Sequence, residues 1–140
     1  MTVPLQPKPV SVSFGPERTP YDALGGDAAV RGMIESFYDF MDRDPAFATI
    51  RALHPPDLAG SRQKLYEFIS GWLGGPPLYI EKHGHPRLRA RHLPFAIDQT
   101  ARDQWMACMK KAMDSRQVEG DVRAFLDARF AQLADFMRNR

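Results

Sequence analysis

The chain has 140 residues, of which 44% are hydrophobic, 11% aromatic and 26% charged, proportions that suit one domain with one core and exclude a disordered chain. A formal net charge of only +2 gives no general pull toward nucleic acid or an anionic membrane. No apolar run approaches the roughly 18 residues of a bilayer span, and the N-terminus lacks a signal peptide's basic start and apolar centre, so the expected compartment is the cytoplasm.

Residues 1–20 hold Pro4, Pro7, Pro9, Pro16 and Pro20 without a helical period and read as an extended N-terminal arm. Gly25 and Gly26 make a turn. Asp27 is a reasonable N-cap for a helix carrying Val30, Met33, Ile34, Phe37, Phe40 and Met41 at spacings of three and four, which ends before Pro45. His54, Pro55 and Pro56 make the stretch 46–60 a structured corner. A second helix, with Ser61 as candidate N-cap, carries Leu65, Phe68, Ile69, Trp72 and Leu73 on one face and is stopped by Gly74-Gly75-Pro76-Pro77.

After a loop, Pro86 suits the first turn of a short helix that bears Leu88 and His92 and ends at Pro94. Asp98 can cap a third long helix with Ala101, Trp105, Cys108, Met109, Ala112 and Met113 in register. A last helix, over about 121–138, repeats Val122, Phe125, Leu126, Phe130, Leu133 and Met137. No segment alternates like a strand. The fold class is therefore all-α, four amphipathic helices that must bury their stripes on one another, as an ordinary bundle or as globin-like crossed pairs.

All four histidines, His54, His83, His85 and His92, could bind a metal in the neutral form. His83 and His85 read as solvated loop residues, and a zinc site lacks the further ligands it needs. His92 stands apart because Pro86 and Pro94 pin its helix and Leu93, Phe95 and Ile97 follow it; on spacing alone, it reads more readily as a histidine at a helix C-terminus contacting carbonyls than as a ligand. Arg87, Arg89 and Arg91 with Lys82 form a basic run without interleaved aromatics, a poor match to a nucleic-acid surface. Tyr38 and Trp105 place a hydroxyl and an indole N–H within apolar stripes, where each needs a partner. Cys108 is the only cysteine and reads as a small hydrophobe.

The order Phe37-Tyr38, Leu73-Gly74-Gly75-Pro76 with Tyr79, Gly84-His85-Pro86, Arg91-His92-Leu93-Pro94-Phe95 and Arg102-Asp103-Gln104-Trp105 resembles the group II truncated hemoglobins over about residues 21–140. That resemblance implies a two-over-two helical sandwich around heme, with residues 1–20 as an extension outside the globin domain of 21–140. It implies His92 as the axial iron ligand, and Tyr38 and Trp105 as distal donors to the bound ligand. Ser61 and Leu65 are then expected on the distal helix, Lys64 and Arg91 as partners of the heme propionates, and Phe68, Leu88 and Phe95 against the porphyrin. His54 takes a distal corner where the family often has tyrosine or phenylalanine; it is expected to donate to the ligand, or to Tyr38 through water, and to titrate near neutral pH, the opposing reading being a histidine facing solvent. With one cysteine and no C-x-x-C-H, the heme is expected to be heme b, held without thioether bonds.

Three functions follow from this reading. The leading one is reversible binding of dioxygen, and of carbon monoxide, nitric oxide or similar ligands, for storage, delivery or sensing, in a monomer or homodimer with neither nucleic acid nor membrane as partner. The second is a redox enzyme for nitric oxide or peroxide served by a reductase. The third is a cofactor-free helical interaction module.

Overall fold

The computed structural model describes residues 14–140, so most of the expected N-terminal arm lies outside the described residues. Among those described no strand occurs, and the helices run α1 (Pro20–Leu24), α2 (Asp27–Arg43), α3 (Ala48–Ala52), α4 (Ala59–Trp72), α5 (Leu78–His83), α6 (Leu88–His92), α7 (Gln99–Ser115) and α8 (Gly120–Met137). A 3-10 turn, Pro45–Phe47, links α2 to α3.

Several ends differ from the sequence reading, each for a local reason. Residues 14–20 pack on the helical domain. The Phe14 ring meets Phe125 of α8 edge-on at 4.7 Å, and Thr19 caps α1 by accepting from the Asp22 amide at 3.0 Å, with Pro20 in the first turn. Asp27 is the first residue of α2, not its cap, which is Gly26; its carboxylate instead accepts from the Tyr66 hydroxyl. Ser61 does not cap α4, because Asp57 accepts from the Ala59 amide at 2.9 Å and starts the helix earlier. Pro86 precedes α6 rather than opening it, since Arg87, with φ of 47°, holds the cap position. Asp98 caps α7 as expected, accepting from the Ala101 amide at 2.9 Å.

Helices α2 and α4 form one pair, α7 and α8 the other, and α2 lies across α7. This is the two-over-two layering. Its centre is apolar: Val30, Met33, Ile34, Phe37 and Met41 of α2 face Cys108, Met109, Ala112 and Met113 of α7, with Ile69, Leu126 and Phe130 beside them. Burial pushes the Cys108 thiol up to about 12, and its S–H donates to the Phe37 carbonyl at 3.2 Å, so it behaves as the small hydrophobe expected. The stop after α4 lets α1 approach: Gly74 has φ of +93°, and a Cβ at Gly75 would run into the Tyr21 ring.

The stretch expected as a loop around His83 contains α5, anchored by a buried carboxylate. Glu67 of α4 is 4% exposed and accepts from Gln63 at 2.9 Å, Lys82 at 3.0 Å and His83 at 3.0 Å; His83 is exposed, as expected, but ends α5 and ties it to α4. Burial opposes ionisation of Glu67, but the bonds from Gln63, Lys82 and His83 outweigh it and hold the carboxyl below its ordinary range. A depressed folded-state pKa contributes stability that is present above the unfolded value and lost as pH falls through the folded one. Glu67→Gln is accordingly expected to cost about 1–3 kcal/mol at pH 7, with the gap to wild type closing as pH falls through the lowered carboxyl pKa in urea melts across pH; a gap independent of pH would contradict the ionised anchor.

Candidate functional site

Between the two layers lies a cavity of about 400 Å3, within the range of roughly 300–1,000 Å3 typical of small-molecule sites. Every site residue singled out in the sequence lines it: Tyr38, His54, Ser61, Lys64, Leu65, Phe68, Leu88, Arg91, His92, Phe95 and Trp105. Of the half-buried stripe residues, Leu65, Phe68, Trp105, Leu133 and Met137 turn toward this space.

His92 is the last residue of α6, and its Nδ1 lies 2.7 Å from the Leu88 carbonyl one turn back. A carbonyl only accepts, so Nδ1 carries the proton and the Nε2 lone pair is left free. Burial holds the imidazole below its ordinary pKa, against the opposing pull of the Leu88 carbonyl. The ring is thus neutral at pH 7 with its tautomer fixed, which is the state a metal-ligating histidine needs.

Two hydrogen-bond donors face the same space. Tyr38 is 4% exposed, and burial drives its phenol pKa far above the ordinary value, keeping it protonated. Its ring and that of Trp105 both pack edge-on against Phe37, at 5.0 and 5.4 Å between centroids. Among the described residues neither the Tyr38 hydroxyl nor the Trp105 N–H has a protein acceptor, and no fully buried side-chain nitrogen or oxygen is left unpaired, so both donors open onto the cavity. Behind Tyr38, Arg62 of α4 bridges Glu35 at 2.5 Å and Asp39 at 2.9 Å on α2 and fixes the two helices around it.

His54 is partly buried and borders the cavity, with its ring edge-on to Tyr38 at 5.7 Å, so it is not a solvent-facing corner residue. Its Nδ1 donates to the Ile50 carbonyl at 2.8 Å, and burial pulls its pKa below the ordinary value. Two expectations change. The ring stays neutral through pH 7 instead of titrating there, and its remaining nitrogen is an acceptor, so it cannot donate to a ligand while neutral.

Lys64 and Arg91 stand exposed at the rim, and among the described residues neither forms an ion pair. The wall also includes Ile50, Leu53, Tyr79, Ile97, Ala134 and Met137, which the sequence reading did not assign to the site. Leu133 and Met137 could have been found from the α8 stripe; Ile50 sits on, and Leu53 just after, a helix too short to show a period. Heme fits this set: a neutral imidazole with one free nitrogen, a largely apolar wall, and two free cations where anionic edge groups would emerge.

A family model described as bacterial-like globin matches residues 19–139. The chain is 41% identical over 121 residues to the group 2 truncated hemoglobin YjbI of Bacillus subtilis (strain 168), covering 86% of this chain and 89% of that one. Among solved structures, it is similar to a group II 2-on-2 hemoglobin from the plant pathogen Agrobacterium tumefaciens, at 44% identity and a TM-score of 0.84 over 93% of this chain and 98% of that one. It is similar also to a truncated oxygen-avid haemoglobin from Bacillus subtilis, at 42% identity and a TM-score of 0.79 over 87% of this chain and all of that one.

Proposed function

The chain belongs to the bacterial-like globin family, among the group II truncated hemoglobins, and from that premise we propose that it binds heme b without covalent attachment and uses it to hold dioxygen reversibly, with retention favoured over rapid release. Heme supplies the coordination position at which dioxygen, carbon monoxide or nitric oxide binds. The observation that carries the reading is a neutral His92 with its Nε2 free in the same cavity as the unpartnered donors Tyr38 and Trp105.

Each residue has a distinct part. His92 offers the Nε2 lone pair, while Leu88 accepts its Nδ1 proton and fixes the ring plane. Tyr38 and Trp105 direct O–H and N–H at the ligand space, where two donors in a largely apolar pocket would hold an accepting ligand such as dioxygen more firmly than carbon monoxide. Leu65, Phe68, Leu88 and Phe95 would shield the macrocycle from water, Ser61 borders the distal side, and Lys64 and Arg91 would pair with its carboxylates at the rim. The name of the oxygen-avid relative supports retention. Mixing the reduced protein with air, then trapping released ligand with carbon monoxide, tests this: a reversible spectral change with slow release is expected, whereas sustained consumption of nitric oxide or peroxide with a reductant, and no stable oxygenated form, would favour the redox-enzyme reading.

His54 tunes this retention as an acceptor. Its free ring nitrogen competes, through a water, for the Tyr38 proton that otherwise serves the ligand. His54→Phe removes the competitor, so the dioxygen dissociation rate is expected to fall about fivefold, the equivalent of roughly 1 kcal/mol. In wild type the rate should be flat above pH 7 and change only where His54 protonates, below the ordinary imidazole value; an unchanged rate in His54→Phe would remove His54 from the ligand network.

A further inference from the structure

The helix that carries His92 is held from one side. α6 has five residues, no side-chain N-cap and a left-handed residue, Arg87, at its start, and it packs chiefly on α8. A helix this short has no stability of its own in water, so the direction of the His92 ring is set by whatever grips its backbone.

The grip comes from the residues after α8. Asn139 Nδ2 donates to the His92 carbonyl at 3.2 Å and to the Phe95 carbonyl at 3.0 Å, while its Oδ1 accepts from the Ile97 amide at 3.0 Å. The Asn139 and Arg140 amides both donate to the Ile97 carbonyl, at 2.9 and 3.2 Å. A second tie runs from Arg89 Nη1 to the Phe136 carbonyl at 2.8 Å. Two carbonyls and one N–H demand a group with two donors and an acceptor in one plane, which a primary amide supplies. A carboxylate cannot donate, and an ammonium cannot accept.

We propose that Asn139 is a positioning residue for His92: its amide fixes the end of α6 and the turn after it, and thereby sets how the Nε2 lone pair is presented to the iron. This rests on His92 being the iron ligand. It differs from a general anchoring of the segment, because Arg138 ties the same stretch to α7, through Gln99 at 2.5 Å, and among the described residues makes no hydrogen bond to α6.

The test uses the full chain loaded with heme, as wild type, Asn139→Leu, Asn139→Asp and Arg138→Met. Two properties are read: the iron–histidine stretching band of the ferrous protein by resonance Raman, and the rate of heme transfer to excess apomyoglobin. Asn139→Leu keeps the volume and removes the side-chain bonds; Asn139→Asp keeps the acceptor for Ile97 and turns a carboxylate onto two carbonyls. Both are expected to shift or broaden the band and to speed heme loss about tenfold, the lower end of the ~10–100-fold effects of outer partners, with Arg138→Met at wild-type values. A wild-type band and heme-loss rate in both Asn139 variants, or an equal shift in Arg138→Met, would overturn the positioning role alone. Absence of an iron–histidine band from the wild type would overturn the ligand assignment and the positioning role with it.

Discussion

Replacing His92 by alanine is expected to leave a folded apoprotein that holds heme weakly. His92 lies outside the core formed by α2, α7 and α8, and its ring bonds only the Leu88 carbonyl of its own helix, so its loss removes little packing. What goes is the one neutral imidazole nitrogen in the cavity that is both unprotonated and fixed by its neighbour's hydrogen bond, apart from His54 on the corner beside Tyr38. Removal of an outer partner of a metal ligand costs ~10–100-fold in affinity, and removal of the ligand itself is expected to exceed that. Titration of apoprotein with hemin measures it, and millimolar imidazole should restore a low-spin spectrum by occupying the vacated volume. Wild-type hemin affinity and spectrum in His92→Ala would mean that another side chain ligates the iron.

The second large effect is expected at the distal donors. Tyr38→Phe and Trp105→Phe each delete a donor with little change of shape. A hydrogen bond to a charged acceptor is worth about 1.5–3 kcal/mol, a factor of roughly 10–100, so each variant should release dioxygen ~10–100-fold faster while carbon monoxide release changes much less. Because both rings rest on Phe37, the effects should not add in Tyr38→Phe/Trp105→Phe. If Tyr38→Phe and Trp105→Phe retain the wild-type dioxygen rate, the two groups are packing residues and the cavity does not hold its ligand by donation.

Period made the long helices legible in the sequence, and the resemblance to the truncated hemoglobins, carried by motif order, is what implied the cavity wall. Stripes on α2, α4, α7 and α8 had to face inward, and the motif order pointed to His92, Tyr38 and Trp105. Period does not separate core from cavity. Ile69 and Phe68 are neighbours on one stripe, yet Ile69 is fully buried and Phe68 lines the site. Elements of five or six residues, α1, α3 and α5, have too few turns to show a stripe, which hid Ile50 and Tyr79 and left His83 in a loop. Caps were misplaced where two polar residues competed, as Asp57 did with Ser61. Tautomers were beyond reach: that His54 accepts rather than donates follows from the Ile50 carbonyl, a contact made only once α3 is formed. Asn139, far from His92 in sequence, gave no signal at all, because its role is a match of donors to carbonyls in three dimensions.

The most direct test of the heme-globin assignment is the absorption spectrum of the purified wild-type protein supplied with hemin, taken ferric, after dithionite and under carbon monoxide. A stoichiometric Soret band that sharpens and shifts on reduction and again on carbon monoxide binding is the predicted result. A protein that takes up no hemin, with the spectrum of the free cofactor in all three states, would contradict the account and return the chain to the reading of a cofactor-free helical interaction module.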